Sequence, residues 1–362
     1  MILFSKSFRK SSAMLIILTA TIVFLGGSVL AGPLPEIKWR CTTHVSPGAQ
    51  DVIDKFGLIY KPGGAKVLTS FSGMIELSRR VKERTNGKFI IKNYSAKELF
   101  APKEYYKACS VGAVEMLNAY GAFYGGINPI GYIDTNIPFG TKSLDNAYDL
   151  YFKTNYIDIL QRAHAKNNIR YICPMIGGSH GFVSKFPIRS IDDLKGKKFR
   201  GPGVMGLMCK ALGAVGLPIA TSEQYTALQR GTIDGIIFTH QALPVYGIFE
   251  VAKYVSLPPV FAPTTDVWLV NMDAWKKLPK EYKAILTEEC QNLWKWVLKT
   301  LLPKSETGIR EYYSKQGVEY ITLSDKVYNE MRSLCMPLWG DLAKKSKECK
   351  EAIEVHRKNL GI

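Results

Sequence analysis

The sequence predicts an α/β fold of two lobes around a ligand cleft, braced by a long helix. Three observations lead there. Alternating apolar stretches and segments of helical spacing follow one another along the 362 residues, the pattern of a largely parallel sheet covered by helices. The length suits two lobes, each able to bury a core. Beyond Pro279 a helical segment runs through Trp294, Trp296 and Leu301, until Pro303 kinks or ends it.

The elements follow in order. Residues 1–31 read as a secretory signal. Lys6, Arg9 and Lys10 form a positive start, Ala13 to Leu25 an apolar run too short to span a bilayer, and Val29-Leu30-Ala31 a small-residue cleavage site. This predicts export to the periplasm, with cleavage near Ala31. Lys38–Thr43 is a predicted strand, followed by a loop from His44. Pro62-Gly63-Gly64 marks a turn. Leu68–Arg84 has helical spacing and stops at Thr85-Asn86-Gly87. Phe89–Tyr94 alternates as a strand, Pro102–Val111 is helical, and Val114–Asn118 is a strand leading into an aromatic, glycine-rich loop. Ser143–His164 reads as one helix. Arg170–Met175 and Gly181–Ser184 read as two strands, Lys197–Arg200 as a strand, and Met205–Val215 and Ser222–Arg230 as helices. Ile233–Phe238, Val251–Leu257 and Val267–Asn271 complete the predicted strands. Residues 32–172 are expected mainly in the first lobe and 173–257 mainly in the second. Residues 258–362 supply crossing strands, the long helix and C-terminal helices to both.

Composition narrows the function. Hydrophobic content of 46% and charged content of 22% exclude disorder. Removing Lys6, Arg9 and Lys10 from the net charge of +17 leaves +14, enough to draw anions toward the surface. The basic residues are scattered and no base-reading motif occurs, which argues against nucleic acid. The seven cysteines form no CxxC pair, so zinc-ribbon and thioredoxin chemistry lack support. Most read as buried small hydrophobes. Export leaves room for one or two disulfides, Cys335 with Cys349 being one pairing.

Gly177-Gly178-Ser179-His180-Gly181 matches the nucleophile-elbow pattern of hydrolases. That pattern needs a helix behind it, whereas extended chain and Pro187 follow. A hinge or cleft-lining loop is the better reading. The five histidines share no metal-ligand spacing, and neither a metal nor a cofactor is expected. Arg200 closes a strand before Gly201-Pro202-Gly203 and a helix. That strand end is where an open α/β lobe binds its ligand, and guanidinium grips carboxylate through paired hydrogen bonds. Thr239 and His240 follow another strand, though a satisfied core histidine fits as well. Tyr120, Phe123 and Tyr124 suit core or pocket lining equally.

Taken together, these residues resemble the extracytoplasmic solute-binding subunits of TRAP transporters, the DctP-type family. The resemblance rests on Thr85-Asn86-Gly87-Lys88, Pro138-Phe139-Gly140, Asp193–Arg200, Leu212-Gly213-Ala214, Tyr225 through Gly235, and Trp275-x-x-Leu278-Pro279. It is closest to the branch binding keto acids and other monocarboxylates, through Val251–Tyr254 and Asn271–Trp275. The resemblance implies a periplasmic binding protein fold and a role without catalysis. Arg200 matches the carboxylate-gripping arginine, and Thr221, Phe238, Thr239, His240, Tyr120, Tyr124 and His180 are the remaining expected ligand contacts. The expected partners are a small carboxylate and membrane permease subunits, with homodimerisation left open. Ile237 stands where metal-assisted members carry a glutamate, so no metal is expected. Ser184-Lys185 replaces the second arginine of sialic-acid binders. The competing readings are a sensory ligand-binding module and a secreted serine hydrolase using Ser179.

Overall fold

The computed structural model describes residues 34–45, 70–135, 137–243, 246–303, 310–311 and 313–362. The signal segment, the turn at Pro62 and most residues just after Pro303 lie outside these.

Ten strands form one mixed sheet. They are β1 (Ile37–Thr43), β2 (Phe89–Tyr94), β3 (Met116–Ala119), β4 (Ile169–Ser184), β5 (Lys198–Arg200), β6 (Val215–Leu217), β7 (Gly235–Thr239), β8 (Tyr254–Leu257), β9 (Phe261–Asn271) and β10 (Glu319–Thr322). The order is β2-β1-β3-β9-β4-β7-β5-β6, with β8 on β4 and β10 on β8. Strand β1 is parallel to β2 and β3, and β5 is parallel to β6 and β7. Between these halves β9 and β4 run antiparallel to each other and to their outer neighbours. The expected parallel pairing therefore holds within each half and fails at the centre, where two long strands cross from one lobe to the other. The fold is two-lobed and α/β. Parallel strands all end on one edge, so each half-sheet carries its strand C-termini together.

Several predicted elements changed in extent for local reasons. The single helix expected over Ser143–His164 is two, Leu144–Phe152 and Tyr156–Ala165. The Thr154 hydroxyl donates back to the Leu150 carbonyl and accepts from the Tyr156 amide, which breaks the run. The loop expected at Gly177–Gly181 is strand: β4 is continuous, with register shifts against β9 around Gly178. Pairing on both sides outweighs the glycines, which take up the irregularity as a bulge. Gly178 has φ of +87°, and a Cβ there would stand 2.3 Å from the Thr239 hydroxyl oxygen.

The long helix, Lys280–Trp296, runs into a π-turn over Val297–Leu301. It braces the first lobe through Arg84, which bonds Glu288 and Glu289. Tyr313, further along the chain, sits in the second lobe's core with Val183, Ile236 and Val255. A buried polar cluster lies deep in the first lobe, with Asp134 Oδ2 taking both of its side-chain contacts and Oδ1 none. Asp134 takes hydrogen bonds from Tyr124 and His164, and the His164 ring also meets Tyr106.

All seven cysteines are free and buried, Cys335 and Cys349 included, so no disulfide forms. Burial pushes their thiols up, Cys209 and Cys335 to about 12. Such thiols are inert. Ellman's reagent should label essentially none of them in the native protein and all seven after denaturation, and reductant should leave the melting temperature unchanged. Rapid native labelling would contradict this packing.

Candidate functional site

Arg200 ends β5 on the C-terminal edge of the second half-sheet. Its side chain is 5% exposed. The Nε–H donates to the Ile219 carbonyl at 3.1 Å, and one terminal nitrogen to the Thr221 hydroxyl at 3.0 Å. The guanidinium lies 5.6 Å from the Phe238 ring centre. These contacts fix the fork without neutralising it: no described carboxylate pairs with it. Burial lowers its pKa to about 10, with Tyr120 and Tyr246 opposing. Burying an unpaired cation costs several kcal/mol, and such a cost is usual where a fold prepares to receive an anion.

The other lobe supplies the facing wall. His44, just past β1, packs on Tyr120 at 5.8 Å and Phe123 at 5.3 Å. Its Nε2 stands 3.8 Å from a carboxylate oxygen of Asp266 on β9. The Tyr120 hydroxyl reaches Met205 Sδ at 3.8 Å. Arg200 and Asp266 both act on Tyr120 and on Tyr246, which places cation and acid in one electrostatic neighbourhood. At the mouth the lobes touch: Gly203 has φ of +60°, and a Cβ there would come within 2.9 Å of Ala122 Cβ.

The predicted contacts divide. Thr221 and Phe238 hold and flank Arg200. His180 lies edge-on to Phe238 at 6.1 Å, and Tyr120 closes the opposite wall. The Thr239 hydroxyl is spent on Gln241 Oε1 at 2.9 Å, which also accepts from the Ser179 amide. His240 turns back over β4, its Nε2 2.6 Å from where a Gly181 Cβ would stand. Tyr124 is a core residue, stacked on Tyr106 at 4.5 Å with its hydroxyl on Asp134; its contacts lie away from the Arg200 group.

Reading the sequence missed His44, Asp266, Gln241 and Tyr246. Asp266 left a signal, as the lone acid in the run Phe261–Asn271. Ile237 is apolar and buried, and among the described residues no group of three His, Cys, Asp or Glu side chains converges. Nor does an elbow exist at Ser179, which sits inside β4 with no helix behind it.

Residues 67–346 match the family model of bacterial extracellular solute-binding protein, family 7. A monocarboxylate 2-oxoacid-binding periplasmic protein of Nostoc sp. is 32% identical over 265 residues, 71% of this chain and 66% of that protein, just under two thirds of its length. The C4-dicarboxylate-binding periplasmic protein DctP of Rhodobacter capsulatus is 28% identical over 240 residues, 65% of this chain and 69% of that one. Among solved structures, a TRAP periplasmic solute binding protein from Desulfovibrio salexigens with bound orotic acid superposes with a TM-score of 0.76. It is 24% identical and covers 90% of this chain and 98% of its own. One from Pseudoalteromonas atlantica with bound sodium and pyruvate gives a TM-score of 0.75 at 21% identity, covering 90% of this chain and 94% of its own.

A buried cation with no described anionic partner burdens the fold. Arg200→Met should raise the unfolding free energy of the ligand-free protein by about 1–3 kcal/mol, read by urea denaturation. A loss of that size would mark Arg200 as a structural residue.

Proposed function

The chain belongs to the bacterial extracellular solute-binding protein family 7, and we propose that it captures a small monocarboxylate on Arg200 and delivers it to the membrane permease subunits of a TRAP-type transporter. The observation carrying this reading is a buried, oriented guanidinium with no described anionic partner. Asp266 in the same neighbourhood disfavours a second carboxylate, because like charges in a buried cleft repel strongly. The walls are aromatic, from Tyr120, Phe123, Phe238 and Tyr246, and suit an apolar ligand body. The relative from Nostoc, named for monocarboxylate 2-oxoacids, supports the same class.

The steps follow from the geometry. The exported chain, cleaved near Ala31, attracts anions by its positive charge. The carboxylate takes the free edge of the Arg200 fork, while Thr221 and the Ile219 carbonyl hold the other edge. Contacts made only when the lobes meet, such as Tyr120 with Met205, draw them together by a hinge motion. Crossing strands β4 and β9 are the connection that must flex. The closed form docks on the permease and opens. No bond is made or broken, and no metal is required, although related proteins bind pyruvate beside sodium or calcium. The family assignment and the strand geometry around Ser179 both disfavour a hydrolase.

Thermal unfolding against a panel of small carboxylates tests the reading. A bound acid at a hundredfold excess over its dissociation constant adds about 2.7 kcal/mol of stability. The shift should appear with monocarboxylates, persist in EDTA, and vanish in Arg200→Ala. A shift indifferent to Arg200, or one that needs a divalent cation, would contradict it.

A further inference from the structure

We propose that ligand capture is coupled to uptake of one proton by His180, which becomes a second cationic contact for the bound anion. The inference rests on the reading above, that a carboxylate sits on Arg200, and adds a regulation of that site.

Geometry carries it. His180 is 8% exposed and pairs with Thr239 across β4 and β7. Its ring and the Arg200 guanidinium flank the same Phe238 side chain, at 6.1 Å and 5.6 Å. Its Nδ1 is buried and has no hydrogen-bond partner, a cost that an acceptor arriving in the cleft would relieve. Beside it the His240 Nε2 is likewise without a partner.

The charges facing His180 explain why it waits for the ligand. From β5 comes Arg200, and from the turn after β7 comes His240; burial and both of these lower the imidazole to about 3, against a weaker pull from the Gly178 backbone. His240 is itself lowered to about 4, by burial and then by Arg310. Tyr246 also packs edge-on to Phe238, at 5.5 Å. Across the cleft stand Tyr120, His44 and Asp266, with His44 lowered to about 3 by burial and Arg200. Asp266 sits nearer His44 than any acid sits to His180 among the described residues. An anion on Arg200 offsets the charge that most opposes protonation after burial itself, so His180 accepts a proton more readily in the complex than in the empty protein. A group that binds more protons in the complex makes affinity rise as pH falls, by at most about tenfold per pH unit for one proton.

The test titrates pyruvate, 4-methyl-2-oxopentanoate and benzoate into the mature protein by calorimetry, from about pH 8 to about pH 5.5. All three probes stay ionised over that range. The expected result is a dissociation constant that tightens at least threefold, with proton uptake visible as heat that depends on the buffer's ionisation enthalpy. The pH slope should disappear in His180→Gln and persist in His44→Gln. If His180→Gln does not fold, proton uptake by the wild type decides the matter. Binding that is flat with pH and releases or takes up no proton overturns the inference and leaves the carboxylate reading intact. A slope that survives His180→Gln, or is lost in His44→Gln alone, also overturns it. If none of the acids binds at any pH, the carboxylate reading falls and this inference with it.

Discussion

One constraint organises the molecule: a guanidinium held out of water with no anion beside it among the described residues. A folded chain would normally neutralise or expose such a group. Here Arg200 is held by a backbone carbonyl and a threonine hydroxyl, neither of which cancels its charge. The surroundings follow from that choice. Aromatic faces offer the cation weak stabilisation. The nearby histidines are kept neutral, and the cleft's acid, Asp266, is kept out of ion-pair distance of the guanidinium. The fold thus carries an unfavourable charge, and the proposed carboxylate ligand would complete it.

The scaffold makes that possible through two long strands. Strands β4 and β9 carry residues of both lobes, so the walls of the cleft are linked by backbone rather than by a soft loop. The bulge at Gly178 lies on this link, under Thr239 and opposite Thr264. The glycine is needed there for its positive φ and for the closeness of the Thr239 hydroxyl. Gly203 plays a similar part at the mouth, where the missing Cβ lets Ala122 approach. Small residues thus stand where the lobes join and where they meet.

Much of this is legible in the sequence, and the reasons are physical. Strand ends can be read from alternation, which alone puts Arg200, Thr239 and His240 at C-terminal edges. Thr221 and Phe238 come with that placement. What stays hidden depends on pairing across distance. The two short strands around Gly177–Gly181 merge because β7 and β9 bond them on both sides, and no local signal records that. Tyr124 resembles its neighbour Tyr120 in sequence, but the two point to different layers, and only the buried Asp134 decides which. His44 and Asp266 meet across more than two hundred residues of chain, beyond the reach of any periodicity. The cysteines mislead in a simpler way: export permits disulfides, but all seven thiols are free and buried.

The most direct measurement is a crystal structure of the mature protein grown with the acid that stabilises it most. Both carboxylate oxygens should lie within hydrogen-bonding distance of the Arg200 guanidinium, with the ligand body between Phe238 and Tyr120 and no metal ion beside it. Ligand density elsewhere, or Arg200 paired with a carboxylate of the protein itself, would contradict the central claim.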